Sequence, residues 1–152
     1  MKLNFKKLIG IILITFLIGN LFTLFTIDNT YYKSLVKPFF IPPIIFPITW
    51  STLYLLMSIS LYRVTESIDV RKKECIVYYF IQLVVNSLWT LFFFGLNFIG
   101  FSFIWCILLL VLVIIMSSKF YLVDKISAYL NVPYILWLIF ASFLNLSILL
   151  LN

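Results

Sequence analysis

CIVYYFIQLVVNSLWTLFFFGLNFIGFSFIWCILLLVLVIIMSS, residues 75–118, runs from Glu74 to Lys119 without a charged side chain. A bilayer core about 30 Å thick is crossed by roughly 20 apolar residues rising 1.5 Å each, so this run is too long for one helix and long enough for two. The break between them is expected at Gly95-Leu96-Asn97, with Gly100 close behind. Three more uncharged, mostly apolar runs flank it: 8–27 between Lys7 and Asp28, 38–62 between Lys37 and Arg63, and 126–152 after Lys125. The sequence therefore predicts an all-α membrane protein. It is a single domain over 1–152, a five-transmembrane-helix bundle with helices about 8–27, 44–62, 76–94, 98–118 and 127–150.

Composition agrees. The 152-residue chain is 64% hydrophobic and 11% charged, which leaves too little polar surface to coat a soluble globule. The net charge of +6 is explained by where the basic residues fall, not by a nucleic-acid partner. Lys2, Lys6, Lys7, Arg63, Arg71, Lys72, Lys73, Lys119 and Lys125 share one side of a five-span topology, and only Lys33 and Lys37 lie on the other. Basic loops stay on the side where the chain is made, which predicts a cytoplasmic N-terminus and an outward C-terminus in a bacterial cell membrane. The Lys-rich start resembles a secretory signal, but its apolar run is longer than a signal core and no small-x-small site follows. It is read as the first helix.

Absences narrow the chemistry. The chain has no His, so imidazole zinc sites, a His haem ligand and Ser-His-Asp or Cys-His relays are excluded. Cys75 and Cys106 are too far apart in sequence to form a redox motif. Asp28, Glu66, Asp69, Glu74 and Asp124 are all expected in loops, which leaves no buried carboxylate to couple transport to protons. Neither a metal nor a cofactor is expected.

Polar and aromatic residues inside the spans form stripes at helical spacing. One stripe holds Gln82, Asn86, Trp89-Thr90 and Phe93; a second holds Trp50, Tyr54 and Met57-Ser58; a third holds Tyr134, Trp137, Ala141 and Asn145. Thr15, Gly19 and Thr23 make a small-residue stripe on helix 1 that suits close helix approach and is a candidate dimer contact. Aromatic walls with a few amides suit a flat apolar ligand. The same residues also serve as helix–helix glue, and tryptophans as interfacial anchors, so both readings stand. Trp50 and Trp137 sit deeper than an interfacial belt requires, whereas Trp89 and Trp105 fit belt, packing or lipid-facing positions. Before helix 2, Tyr31-Tyr32 through Pro42-Pro43, followed by Pro47, reads as a stiff extended ramp or a lid.

Four segments in register carry a resemblance. Tyr32-x-x-Leu35-x-Lys37-Pro38-x-Phe40-x-Pro42-Pro43, Trp50-x-x-Leu53-Tyr54, Asn86-x-x-Trp89-x-x-Phe92-Phe93 and Pro133-Tyr134-x-x-Trp137-x-x-Phe140-Ala141-x-x-Leu144-Asn145 resemble the tryptophan-rich sensory protein/translocator protein family, whose animal members are called peripheral-type benzodiazepine receptors. The resemblance implies a five-helix, often homodimeric receptor for tetrapyrroles such as protoporphyrin IX and for benzodiazepine-receptor-type ligands. It implies a pocket among the helices built from Trp50, Tyr54, Asn86, Trp89, Cys106, Trp137 and Ala141, with Tyr32, Pro42 and Pro43 in its lid. It further implies Trp50 and Trp137 as candidates for light- and oxygen-dependent porphyrin degradation, with no acid–base residue required. Two departures qualify it: Phe40 stands where many relatives carry Trp, and the chain after Asn145 lacks the Tyr and basic residue of the animal sterol motif. A tetrapyrrole sensor, a photo-oxidative enzyme and a facilitative transporter of porphyrin-like solutes remain the three functional alternatives.

Overall fold

A computed structural model describes residues 4–23 and 30–152, and its regular elements are all helical. They are α1 (Phe5–Gly19), α2 (Thr30–Ser34), α3 (Ile45–Glu66), α4 (Lys72–Thr90) leading into a π-helical turn (Leu91–Gly95), α5 (Ile99–Val123), α6 (Lys125–Leu130) and α7 (Val132–Leu151). Among the described residues, four stretches are long and apolar enough to cross a membrane: Ile45–Glu66, Lys72–Gly95, Ile99–Val123 and Lys125–Leu151.

The first expected helix differs. α1 begins three residues before position 8 and stops at Gly19, where the Asn20 amide side chain donates to the Phe16 carbonyl at 2.9 Å. At 15 residues it is about 22 Å long, shorter than a bilayer core, and positions 24–27 of the expected helix lie outside the described residues. The other helices overrun their expected ends. α3 continues to Glu66, α4 starts at Lys72 and α5 reaches Val123. Charge had marked the boundaries, but charged residues are good helix formers once they leave the apolar layer. They pair across helices instead: Lys7–Glu66 at 2.6 Å, Arg63–Asp124 at 2.7 Å and Lys119–Glu74 at 2.6 Å. Glu66 and Glu74 therefore sit in terminal helical turns, not in loops.

The last expected helix is broken at Asn131. Pro133 has no N–H and its ring crowds the preceding turn, so regular α-helical bonding lapses at Asn131 between α6 and α7. The Asn131 side chain bridges the break, donating to Ser127 O at 3.0 Å and Ser60 Oγ at 2.8 Å. At the start of α6, Asp124 accepts from the Ser127 N–H at 3.1 Å and from Arg63. Arg63, followed by Ser127, holds the Asp124 carboxyl down to about 2. A carboxyl with a lower pKa folded than unfolded stabilises fully above the ordinary value near 4, and that contribution is lost as pH falls toward 2. Between pH 4 and 2, Asp124→Asn should show a shallower fall in melting temperature than the wild type. An identical acid slope would contradict the assignment. The half-buried Asp69, also held at about 2 by Arg71, is common to both proteins.

α5 packs along α4 and α7, α1 lies along α3 and α4, and α6 lies against α3 and α5. Tyr54 wedges under Gly19 and donates to its carbonyl at 3.0 Å, while Thr15 and Tyr79 hydroxyls meet at 2.7 Å. Each such bond in a bilayer contributes about 0.6–2 kcal/mol. The small-residue face of α1 is thus occupied within the same chain, and Gly19 is not available as a dimer contact. All four ion pairs among the described residues lie at the end holding the start of α1 and the end of α3. The opposite end holds α2, the π turn and the end of α7.

Candidate functional site

Between α3, α4 and α7, beneath α2, lies a hollow lined by Tyr32, Phe46, Trp50, Trp89, Phe93, Phe94, Trp137, Phe140, Ala141, Leu144 and Asn145. None of these residues is charged. Its free volume is about 20 Å³, room for about one water molecule, because the rings lean on one another. Trp89 stacks on Phe93 at 5.2 Å, Trp137 meets Phe46 at 6.1 Å and Phe140 at 5.3 Å, and Trp50 rests on Tyr134 at 6.2 Å.

A second space is larger and lies outside. A groove of about 460 Å³ between α3 and α7 is lined by Ile48, Thr49, Thr52, Leu53, Leu56, Pro133, Leu136, Trp137 and Phe140. Trp137 and Phe140 line both spaces, so they form the partition between groove and hollow.

Of the site residues expected from sequence, Tyr32, Trp50, Trp89, Trp137 and Ala141 line the hollow. The others do not. Tyr54 is turned toward Gly19, and Asn86 makes a long 3.5 Å contact with the Tyr54 hydroxyl. Gln82, on the Trp89 stripe, accepts from Tyr134 at 3.1 Å instead. These three belong to a hydrogen-bonded layer that joins helices. Cys106 packs behind the hollow with Trp89 and Ala141 and receives a Ser142 hydroxyl at 3.3 Å. Pro42 and Pro43 are exposed and shape the turn before α3, closed by Ile45 N–H to Pro42 O at 3.0 Å. Trp89, expected in an interfacial belt, is buried. Trp105 packs on Phe92 and Phe101, and its indole donates to Val85 O at 2.8 Å.

The α2 strap is pressed onto the hollow from one end. Tyr32 makes edge contacts with Phe93 at 6.0 Å and Phe94 at 5.3 Å, and Leu35 is buried beside Trp89. The Asn152 amide clamps Val36, accepting from its N–H at 2.9 Å and donating to its carbonyl at 3.0 Å.

Phe46, Phe93, Phe94, Phe140, Leu144 and Asn145 were not expected as site residues. Phe93 and Asn145 lie on the expected stripes and were legible from spacing. Phe94 was not. It lies in the π turn, closed by Leu96 N–H to Leu91 O at 2.8 Å, which takes its side chain off the α-helical register that spacing assumes.

The TspO/MBR family model matches residues 10–151. Similar curated proteins include Protein CrtK of Rhodobacter capsulatus, 38% identical over 82% of this chain and 79% of the relative. Tryptophan-rich protein TspO of Archaeoglobus fulgidus is 37% identical over 99% of both chains. The Translocator protein of Ovis aries is 34% identical over 76% of this chain and 70% of its own length.

Proposed function

This chain belongs to the TspO/MBR family, and on that premise we propose that it is a membrane receptor whose inner hollow takes protoporphyrin IX or a comparably flat, apolar tetrapyrrole. It is a multi-pass membrane protein. The observation that carries the reading is the convergence of Trp50, Trp89 and Trp137, from three helices, on one hollow without a charged side chain. A tetrapyrrole is a broad apolar disc, and ring faces supply stacking where charge would oppose burial. With only about 20 Å³ free, the hollow accepts such a disc by parting its rings. The bundle crosses the membrane five times, the N-terminus is cytoplasmic, and the functional unit is a homodimer.

A second reading, facilitated passage of an apolar solute, is favoured by one feature. The partition of Trp137 and Phe140 separates the hollow from a groove on the membrane side of α3 and α7. Uptake of porphyrin into proteoliposomes distinguishes passage from binding alone.

Titration of the purified protein with protoporphyrin IX in the dark, followed by absorbance and tryptophan quenching, should give a dissociation constant on the order of micromolar or lower. No saturable change up to about a hundred times that concentration overturns the receptor reading. Under light and oxygen the bound porphyrin generates reactive oxygen beside Trp50 and Trp137, and its absorbance should decay faster than with the Trp50→Phe/Trp137→Phe protein. Equal decay removes the photo-oxidative role of these indoles.

A further inference from the structure

Trp137 and Phe140 are half-buried, and both line the hollow as well as the groove between α3 and α7. No other described residue lines both spaces. The hollow is shut more firmly on its other described sides. Below it, Tyr54, Gln82, Asn86 and Tyr134 are buried and hydrogen-bond between helices. Behind it, Cys106 on α5 meets the Ser142 hydroxyl of α7 at 3.3 Å. Above it, the strap is held by Leu35 against Trp89 and by two Asn152 hydrogen bonds to Val36. The partition is instead held by ring contacts: Trp137 to Phe46 at 6.1 Å, and Phe140 to Trp137 at 5.3 Å and Phe39 at 6.2 Å. A flat aromatic ligand replaces one ring contact with another as the rings part. A hydrogen bond broken inside a bilayer finds no water to replace it.

The groove suits the outer side of such a wall. Its volume of about 460 Å³ lies within the roughly 300–1,000 Å³ usual for small-molecule sites, and no charged residue lines it. The Thr52 hydroxyl turns back to the Ile48 carbonyl at 2.9 Å, which leaves the lining apolar in character. Leu53, 3% exposed, forms its floor, while Ile48 and Leu136 are 59% and 61% exposed. The groove therefore opens outward between two membrane-spanning helices, onto the acyl chains. The hydrophobic effect concentrates an apolar ligand in that same layer. We infer that Trp137 and Phe140 form a lateral gate: a flat apolar ligand leaves the acyl chains, lies in the groove, and enters the hollow as the two rings swing aside. The occupant of the groove is this ligand in transit, because groove and hollow share a wall two side chains wide. The inference rests on the hollow being the ligand site and adds the route by which it fills.

The test uses the full chain in detergent micelles and stopped-flow tryptophan quenching by protoporphyrin IX. At saturating porphyrin, delivery no longer limits, and the observed rate reports entry. Release is followed by dilution into excess empty micelles. Thr52→Trp and Leu136→Trp each place an indole in the groove from opposite walls without touching the hollow. Both should slow entry and release by about tenfold and keep the dissociation constant within about twofold, because a route changes rates and not end states. Phe140→Ala should speed entry by about tenfold. A ring that served only as a stacking face would alter release and leave entry unchanged. Asn152→Ala, which loosens the strap, should leave both rates within about twofold. Thr52 and Leu136 are exposed, and if one substitution prevents folding the other decides. Wild-type rates in the plugged protein overturn the gate, and faster entry in Asn152→Ala overturns it by placing the route beneath the strap. Porphyrin binding at rates indifferent to the plugs defeats the gate alone. A folded wild type that binds no porphyrin at equilibrium defeats the receptor reading and the gate with it.

Discussion

Trp137→Ala should weaken protoporphyrin binding by on the order of thirtyfold to a hundredfold, the largest functional effect of any single side chain in the hollow. Two losses combine. The indole supplies a stacking face, and a buried aromatic of this size carries about 2–3 kcal/mol of contact with a flat ligand. The same ring, with Phe140, is the partition between hollow and groove, packed edge-on to Phe46 at 6.1 Å. Its removal joins the two spaces, so a ligand that enters is no longer enclosed. Trp105→Ala is the matched control. That ring packs between α4 and α5 and lines neither space, so porphyrin affinity should stay within about twofold while thermal stability drops. Fluorescence titration of both variants decides the matter. Wild-type affinity in Trp137→Ala would sink the claim that this indole is part of the binding site.

The largest expected effect on stability comes from Gly19→Val. A Cβ added at Gly19 would lie 2.5 Å from Tyr54 Cζ and 2.8 Å from its Cε1 and hydroxyl. Tyr54 cannot swing aside freely: Phe16 stands edge-on at 5.4 Å and Trp50 at 5.6 Å, and the residue is 4% exposed. Overpacking of this kind costs about 1–3 kcal/mol, and separating Tyr54 from the Gly19 carbonyl adds about 1 kcal/mol or more. The variant should melt well below wild type in detergent or fail to accumulate. Gly10→Val should be close to neutral, since nothing lies within 4 Å of its Cβ position. Tyr54→Leu should partly restore Gly19→Val, because it removes the atoms in conflict. A Gly19→Val protein as stable as Gly10→Val would mean that α1 does not pack on α3 through this contact.

Several elements were legible before any coordinates. The break in residues 75–118 was expected at Gly95-Leu96-Asn97, and the chain turns there. Trp50 and Trp137 were singled out for their depth, and they face one hollow. Trp89 was harder, because a tryptophan near a helix end is equally consistent with an interfacial anchor. Its burial depends on the α2 strap lying over it, brought there by Leu35 and by the Asn152 clamp on Val36, contacts that no local pattern announces. Gln82 and Asn86 share their stripe with Trp89, yet they hydrogen-bond between helices. Spacing fixes the angle of a side chain around its helix, not the neighbour it meets.

By itself the sequence determined that the chain crosses a membrane and roughly where its helices run. The bilayer enforces those features one segment at a time: its thickness sets the length of apolar runs, and the cost of burying charge keeps Lys and Arg at the ends. Only the tertiary structure decided which stripe residues enclose the hollow and that its rings close on one another to about 20 Å³. Those outcomes depend on the rotation and depth of each helix against its neighbours, which are settled by side chains far apart in sequence packing together.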